Sequence, residues 1–364
     1  MTVTAAFPGG APNTFVPSTE ATGNMVVDYS RNVNDFALNS YVQIVPVTKS
    51  VGLYTFMTVE EAGRITDSTG ADSLWPDGED APDDRGGTES FQFLPYQCQR
   101  RSKQFRIGQL ASTQASWDIL AQHARIKCQQ MMTIRTQLVV NTMTTTANYN
   151  GQYSDVTSIT GTSGGRWDIS TAARQDIRRS LAYAQDIVRK AVLGAVTWAD
   201  FRLVISPGCA RKLAACQEIV NYIQNTPYAL DYIKGKLGPA AAYGLPDMLY
   251  GTPVVIEDAY KTTTRKGAAT TVKSTVLSDS TPFLCCRPSA GGDSAAKAER
   301  DLVAPVDSNQ VPRYATAAIF MIEEMTVEQK YDADNRLNRG RVVENYVAQM
   351  VAPQTGFLFT NAVS

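Results

Sequence analysis

Gly161-Thr162-Ser163-Gly164-Gly165 satisfies the GxSxG pattern of a nucleophile elbow. There a serine on a strand-to-helix turn attacks an acyl carbon while a histidine takes its proton. In that arrangement the histidine follows the serine along the chain, but the single histidine, His123, precedes Ser163 by forty residues. Glycine and serine cluster in loops for conformational reasons alone, so a loop is the expectation at 161–165. A single histidine also forbids any site that needs two imidazoles from one chain, and Cys128 alone does not complete a zinc site around His123. Cys285 and Cys286 are adjacent, a spacing at which a disulfide is strained, so they are expected as buried thiols. Asp332, Asp334 and Asn335 resemble the start of a calcium loop, without its glycine or its twelfth-position glutamate. No GxxxxGK[ST] or GxGxxG occurs. The expectation is no catalytic residue, no metal and no cofactor.

Charge is more informative. Residues 64–89 carry eight acids, Asp67, Asp72, Asp77, Glu79, Asp80, Asp83, Asp84 and Glu89, opposed only by Arg64 and Arg85. Residues 98–107 carry Arg100, Arg101, Lys103 and Arg106 with no acid among them. For any single charge, a solvated surface is the ordinary reading. Together, an acidic end and a basic base could complement each other head to tail between copies, a heterologous contact that builds rings or open assemblies. The contact residues expected on this reading are Asp77, Glu79, Asp80, Asp83 and Asp84 against Arg100, Arg101, Lys103 and Arg106. Each exposed pair contributes only about 0–1 kcal/mol, so the contact must be repeated many times.

Over the whole chain, 34 Lys plus Arg meet 35 Asp plus Glu, a net charge of -1 that argues against binding nucleic acid by bulk phosphate attraction. Hydrophobic residues make up 43%, which excludes disorder of the whole chain, and 364 residues suffice for about two domains. No apolar run reaches the roughly 18 residues of a membrane span, and Met1–Gly10 has no signal-peptide pattern. Six cysteines without a CxxC pair read as reduced thiols.

The elements that must position these groups follow from periodicity. Residues 1–50 read as an extended arm with little core of its own, one that rests on something else. Residues 51–63 and 90–108 read as strands bracketing the acidic tip, which makes 51–108 a long hairpin. Trp117, Leu120, Ala124, Cys128, Met131, Arg135, Leu138 and Thr142 predict a helix over 113–145, about 50 Å long. A second helix is expected from Asp168 or Ser170 to a C-cap at Gly194. Phe201–Ile205 reads as a buried strand, Ser206-Pro207-Gly208 opens a helix to Cys216, and another helix covers 217–225. Residues 244–258 read as a turn followed by a buried strand, and 275–287, 314–331 and 341–352 are strand-like, the last two an antiparallel pair around the polar turn 332–339. Strands gathered late give an α+β class.

This order of arm, hairpin, long helix, α/β unit and terminal strand pair resembles the major capsid proteins of tailed bacteriophages, the Hong Kong 97-type fold. Two stretches add to the resemblance: FRLVISPGCARKL at 201–213 and YGLPDMLYGTPVVIED at 243–258. It implies an N-terminal arm (1–50), an extended loop (51–108), a peripheral domain with its spine helix (109–189), an axial domain (190–310) and return strands of the peripheral domain (311–364). It also implies a structural, non-enzymatic chain that self-assembles as hexamers and pentamers into an icosahedral virion shell around non-specifically held double-stranded DNA, built in the bacterial host cytoplasm. The implied partners are a separate scaffolding protein, since only a short arm precedes the hairpin, a portal protein and a cement protein. Some relatives crosslink a loop lysine to an asparagine; residues 51–102 hold no lysine, so no such bond is expected from this loop. The alternatives are an encapsulin-type nanocompartment shell and, more distantly, an intracellular serine hydrolase using Ser163.

Overall fold

The computed structural model describes residues 30–57, 77, 91–115, 117–159, 161–224, 242–265, 268, 270–287 and 315–364. The first elements are helix α1 (Leu38–Tyr41) and strands β1 (Gln43–Pro46), β2 (Val51–Met57), β3 (Phe91–Gln97) and β4 (Gln99–Gly108). Helices α2 (Gln109–Gln114) and α3 (Ile119–Thr144), strand β5 (Tyr153–Asp155) and helix α4 (Asp176–Ala191) follow. Next come β6 (Phe201–Ile205), α5 (Pro207–Ala215), α6 (Gln217–Gln224), β7 (Met248–Leu249) and β8 (Thr252–Ile256). The chain closes with β9 (Tyr260–Thr262), β10 (Lys273–Thr275), β11 (Phe283–Cys286), β12 (Ala317–Asp332), β13 (Leu337–Met350) and β14 (Phe357–Thr360).

A six-stranded sheet has the order β5-β14-β11-β6-β8-β7. Its two central strands, β11 and β6, are apolar except at Arg202, and side-chain alternation sends successive residues to opposite faces. Phe201, Leu203, Ile205, Leu284, Phe357 and Phe359 enter one core with Ile177, Leu181 and Val188 of α4 and Leu213 of α5. Val204, Phe283, Cys285 and Leu358 enter the other, with Met132, Val139, Val140 and Met143 of α3. The cysteine pair is thereby split between two cores. All six cysteines are free thiols and five are buried. Burial pushes the Cys285 thiol up to about 12.

Of the arm expected over 1–50, residues 1–29 lie outside the described residues, and residues 30–42 lie on this unit. Phe36, Leu38, Tyr41 and Val42 are buried in the second core. Arg31 pairs with Asp258 at 2.8 Å. Tyr41 donates its hydroxyl to the buried Glu257 at 2.8 Å.

A four-stranded sheet has the order β1-β12-β13-β4, with β1 parallel to β12 and the others antiparallel. The polar turn expected at 332–339 is shorter than that: residues 333–336 connect β12 to β13, with Asp332 opposite Leu337. Asp332 accepts from Asn335 and pairs with Arg339, which holds its carboxyl below the usual range. This is a turn-stabilising carboxylate. β12 is buried over Ala317–Met321 and becomes exposed after register shifts around Glu323, a bulge that separates its two halves.

Three expectations are corrected. The 113–145 helix is two helices, because Ala115 and Asp118 leave helical geometry and Asp118 caps α3, accepting the Ala121 N–H at 2.9 Å. The strand over 90–108 is two strands on different sheets: β3 pairs with β2 and β4 pairs with β13. The switch occurs at buried Cys98, whose N–H closes the hairpin base on the Ser50 carbonyl at 2.7 Å. The second helix begins at Asp176 rather than at Asp168 or Ser170; a 3-10 turn spans Trp167–Ile169, with Ser170 extended after it. Its cap comes from far along the chain: the Glu218 carboxylate accepts the Ile177 and Arg178 N–H groups, both at 3.1 Å.

Candidate inter-subunit surface

β2 and β3 form a two-stranded antiparallel ribbon, Val51 opposite Gln97 through Met57 opposite Phe91. Alternation gives it two faces. On one, Tyr96 and Tyr54 stack on Phe320 of β12, with ring centroids 4.7 Å and 5.5 Å apart. Gly52 lies directly opposite Tyr96, and a Cβ there would collide with the ring, so a glycine lets Tyr96 lie across the ribbon. On the other face Val51, Leu53 and Phe93 are 60%, 64% and 61% exposed. Segments 51–59 and 91–99 contain no charged residue. Apolar side chains gathered on one uncovered strand face mark an interaction surface.

The basic residues lie on β4, the edge strand of the four-stranded sheet, and alternation divides them. Arg101 and Lys103 share the α3 face with Phe105 and Ile107; Arg100 and Arg106 point to the opposite face. Arg100 reaches Glu323 at 3.7 Å. Arg101 sits with its guanidinium 5.6 Å from the centre of the Tyr346 ring, beside the buried Arg135–Glu344 pair at 3.0 Å. Burial raises the Glu344 carboxyl against the pull of Arg135. Arg101 therefore belongs to the interior network between α3 and β13. Lys103 and Arg106 are exposed and have no ion-pair partner among the described residues. Of the acids, Asp77 is an exposed turn residue, and Glu79, Asp80, Asp83 and Asp84 lie outside the described residues.

The residues that suggested catalysis are placed separately. The 161–165 loop runs between 3-10 turns at Val156–Ser158 and Trp167–Ile169, not between a strand and a helix. The Ser163 N–H donates to Asp176 at 2.6 Å and Arg179 donates to the Gly161 carbonyl at 2.7 Å, so the loop is fastened to α4. His123 packs its ring 6.2 Å from that of Phe105. Among the described residues no group of three His, Cys, Asp or Glu could hold a metal, and no helix is long and apolar enough to cross a membrane.

No family model matches the chain, and no curated protein matches its sequence. Solved structures do. A phage-related protein from Bordetella bronchiseptica RB50 is 14% identical with a TM-score of 0.57, over 91% of this chain and 93% of that one. The mature capsid of bacteriophage PhiM1 is 15% identical with a TM-score of 0.53, over 93% of this chain and 90% of that one. The capsid of cyanophage P-SCSP1u is 12% identical with a TM-score of 0.55, over 96% and 93%. The likeness spans nearly the whole of each chain, and the chain has the α+β fold of phage capsid subunits, the Hong Kong 97-type fold.

Proposed function

We propose that copies of this chain form the icosahedral head shell of a tailed bacteriophage, as hexamers and pentamers around non-specifically held double-stranded DNA. Its role is structural rather than catalytic. It acts in the virion after assembly in the bacterial host cytoplasm, with a separate scaffolding protein, a portal protein and a cement protein as partners. The observation that carries the reading is the β2/β3 ribbon, anchored on one face by Tyr54 and Tyr96 and bare and apolar on the other. A monomer gains nothing from exposing Val51, Leu53 and Phe93 together, whereas a shell subunit can bury them on a neighbour. The shared fold with phage capsids supports the same reading and favours a phage shell over an encapsulin.

Within the shell, Lys103 and Arg106 are the cations available to the acidic 67–89 segment of an adjacent copy. Negative-stain microscopy of the full chain, alone and with its neighbouring gene products, tests the proposal. Closed shells are expected from the native chain and none from Leu53→Ser/Phe93→Ser, with unchanged circular dichroism. A native chain that stays monomeric under every assembly condition overturns the shell reading.

A further inference from the structure

The two ends of helix α4 carry features that the subunit fold does not use. Past its C-terminus, Leu193 has φ 50° and is 53% exposed, and Trp198 is 51% exposed. The left-handed region suits the following Gly194, φ 78°, but disfavours a leucine, and Leu193 gains no burial in return. Trp198 is held in place. The Arg189 guanidinium lies 4.4 Å from its ring centre, and a capping box between Thr197 and Asp200 closes the 3-10 turn that bears it. The result is a pre-organised apolar knob, of the residue type that most often anchors protein interfaces.

At the N-terminal end of α4 lies an open recess of about 230 Å³, walled by Gln175, Arg178, Asn221, Tyr222 and Tyr250 over Glu218. The Tyr222 and Tyr250 rings are tilted against each other at 5.1 Å. The carboxylate at its floor is already engaged, by Tyr250 at 2.7 Å, by Ser170 and by two helix N–H groups, and so does not call for an ionic ligand. The volume falls below the roughly 300–1,000 Å³ of small-molecule sites. Two aromatic walls suit one aromatic side chain entering edge-on.

The recess lies at one end of a sixteen-residue helix about 24 Å long and the knob, held by Arg189, at the other, so they do not meet within one copy. A projection at one end of a helix and a matching socket at the other make a heterologous pair, which when repeated builds a ring or an open assembly, and a ring in a closed shell.

We propose that Trp198 of one copy, flanked by Leu193, seats in the Tyr222–Tyr250 recess of the next copy and joins subunits head to tail within a ring. The inference rests on the shell reading and adds to it the contact residues of one interface. In the full-length chain, Leu193→Cys/Asn221→Cys, which keeps Trp198, should give a ladder of covalent oligomers on oxidation, absent from either single variant. Trp198→Ala should lower particle yield about tenfold with an unchanged melting curve, and Tyr222→Ala should do the same from the other side. Native particles with no ladder, together with normal yields from both alanine variants, overturn the knob-and-recess contact and leave the shell reading standing. A native chain that forms no particles under any assembly condition overturns both.

Discussion

The six-stranded sheet is covered on both faces, by α4 and α5 on one and by α3 with residues 36–42 on the other. The β2/β3 ribbon is covered on one face only, and the outer half of the four-stranded sheet has a small core of Phe105, Ile107 and Ala124. Both regions bury charge, but differently: the first buries the single carboxylates Glu218 and Glu257 on hydrogen-bond donors, and the second buries an ion pair, Arg135 with Glu344. Side-chain alternation underlies both. The difference teaches that one region completes its own core, while the other presents a surface that a second molecule must cover.

The largest way to break the contrast is at the buried ion pair. Arg135→Met leaves Glu344 buried without its counter-charge and should lower subunit stability by about 3–5 kcal/mol in urea unfolding. Arg135→Met/Glu344→Leu should recover most of that loss, because an apolar pair of similar volume needs no compensation. A double variant as unstable as the single one would show that the pair contributes something other than charge neutralisation.

A smaller effect belongs to the covered region. Burial raises the Glu257 carboxyl from its ordinary value to about 7, with Asp258 adding to the rise and the Tyr41 hydroxyl, the Ala259 N–H and Arg31 opposing it. A carboxyl that binds its proton more tightly when folded contributes stability that is full below about pH 4.5 and is lost as pH rises through about 7. The whole span corresponds to at most about 3 kcal/mol. Subtracting the unfolding curve of Glu257→Gln from that of the native chain between pH 4.5 and 8 isolates this contribution, since Glu344 titrates in both. A flat difference would place Glu257 ionised within the fold at all these pH values.

Particular elements show what could be read from the chain. The β12/β13 pair was legible because long apolar-polar alternation flanks a run of Asp and Asn, and α5 because Ser206-Pro207 is a local start signal. The split at Cys98 was not, since it depends on the Ser50 carbonyl, forty-eight residues earlier. Nor was the start of α4, whose cap, Glu218, lies on another helix. The basic stretch was visible as composition, but only the register against β13 separates Arg101, drawn inward to Tyr346, from Lys103 and Arg106. The bare ribbon face had a signal, the charge-free runs 51–59 and 91–99, whose meaning depended on knowing which face Phe320 covers.

That separation within β4 gives the smallest and most discriminating prediction. Charge reversal across the whole stretch mixes two effects, because Arg101 packs over Tyr346 beside Glu344 and its loss disturbs the interior. Lys103→Glu/Arg106→Glu alters only exposed cations and should leave the melting temperature unchanged. Each lost contact is weak, so the consequence should appear in assembly, where it is multiplied over every neighbour, and should shrink as salt screens the native contact. Light-scattering traces of assembly at low and high ionic strength measure this directly. The double variant should lag at low salt and converge with the native chain at high salt, while Arg101→Glu should melt earlier at any salt. Identical low-salt traces for the double variant and the native chain would remove the charge pairing and leave the apolar ribbon as the contact that joins copies.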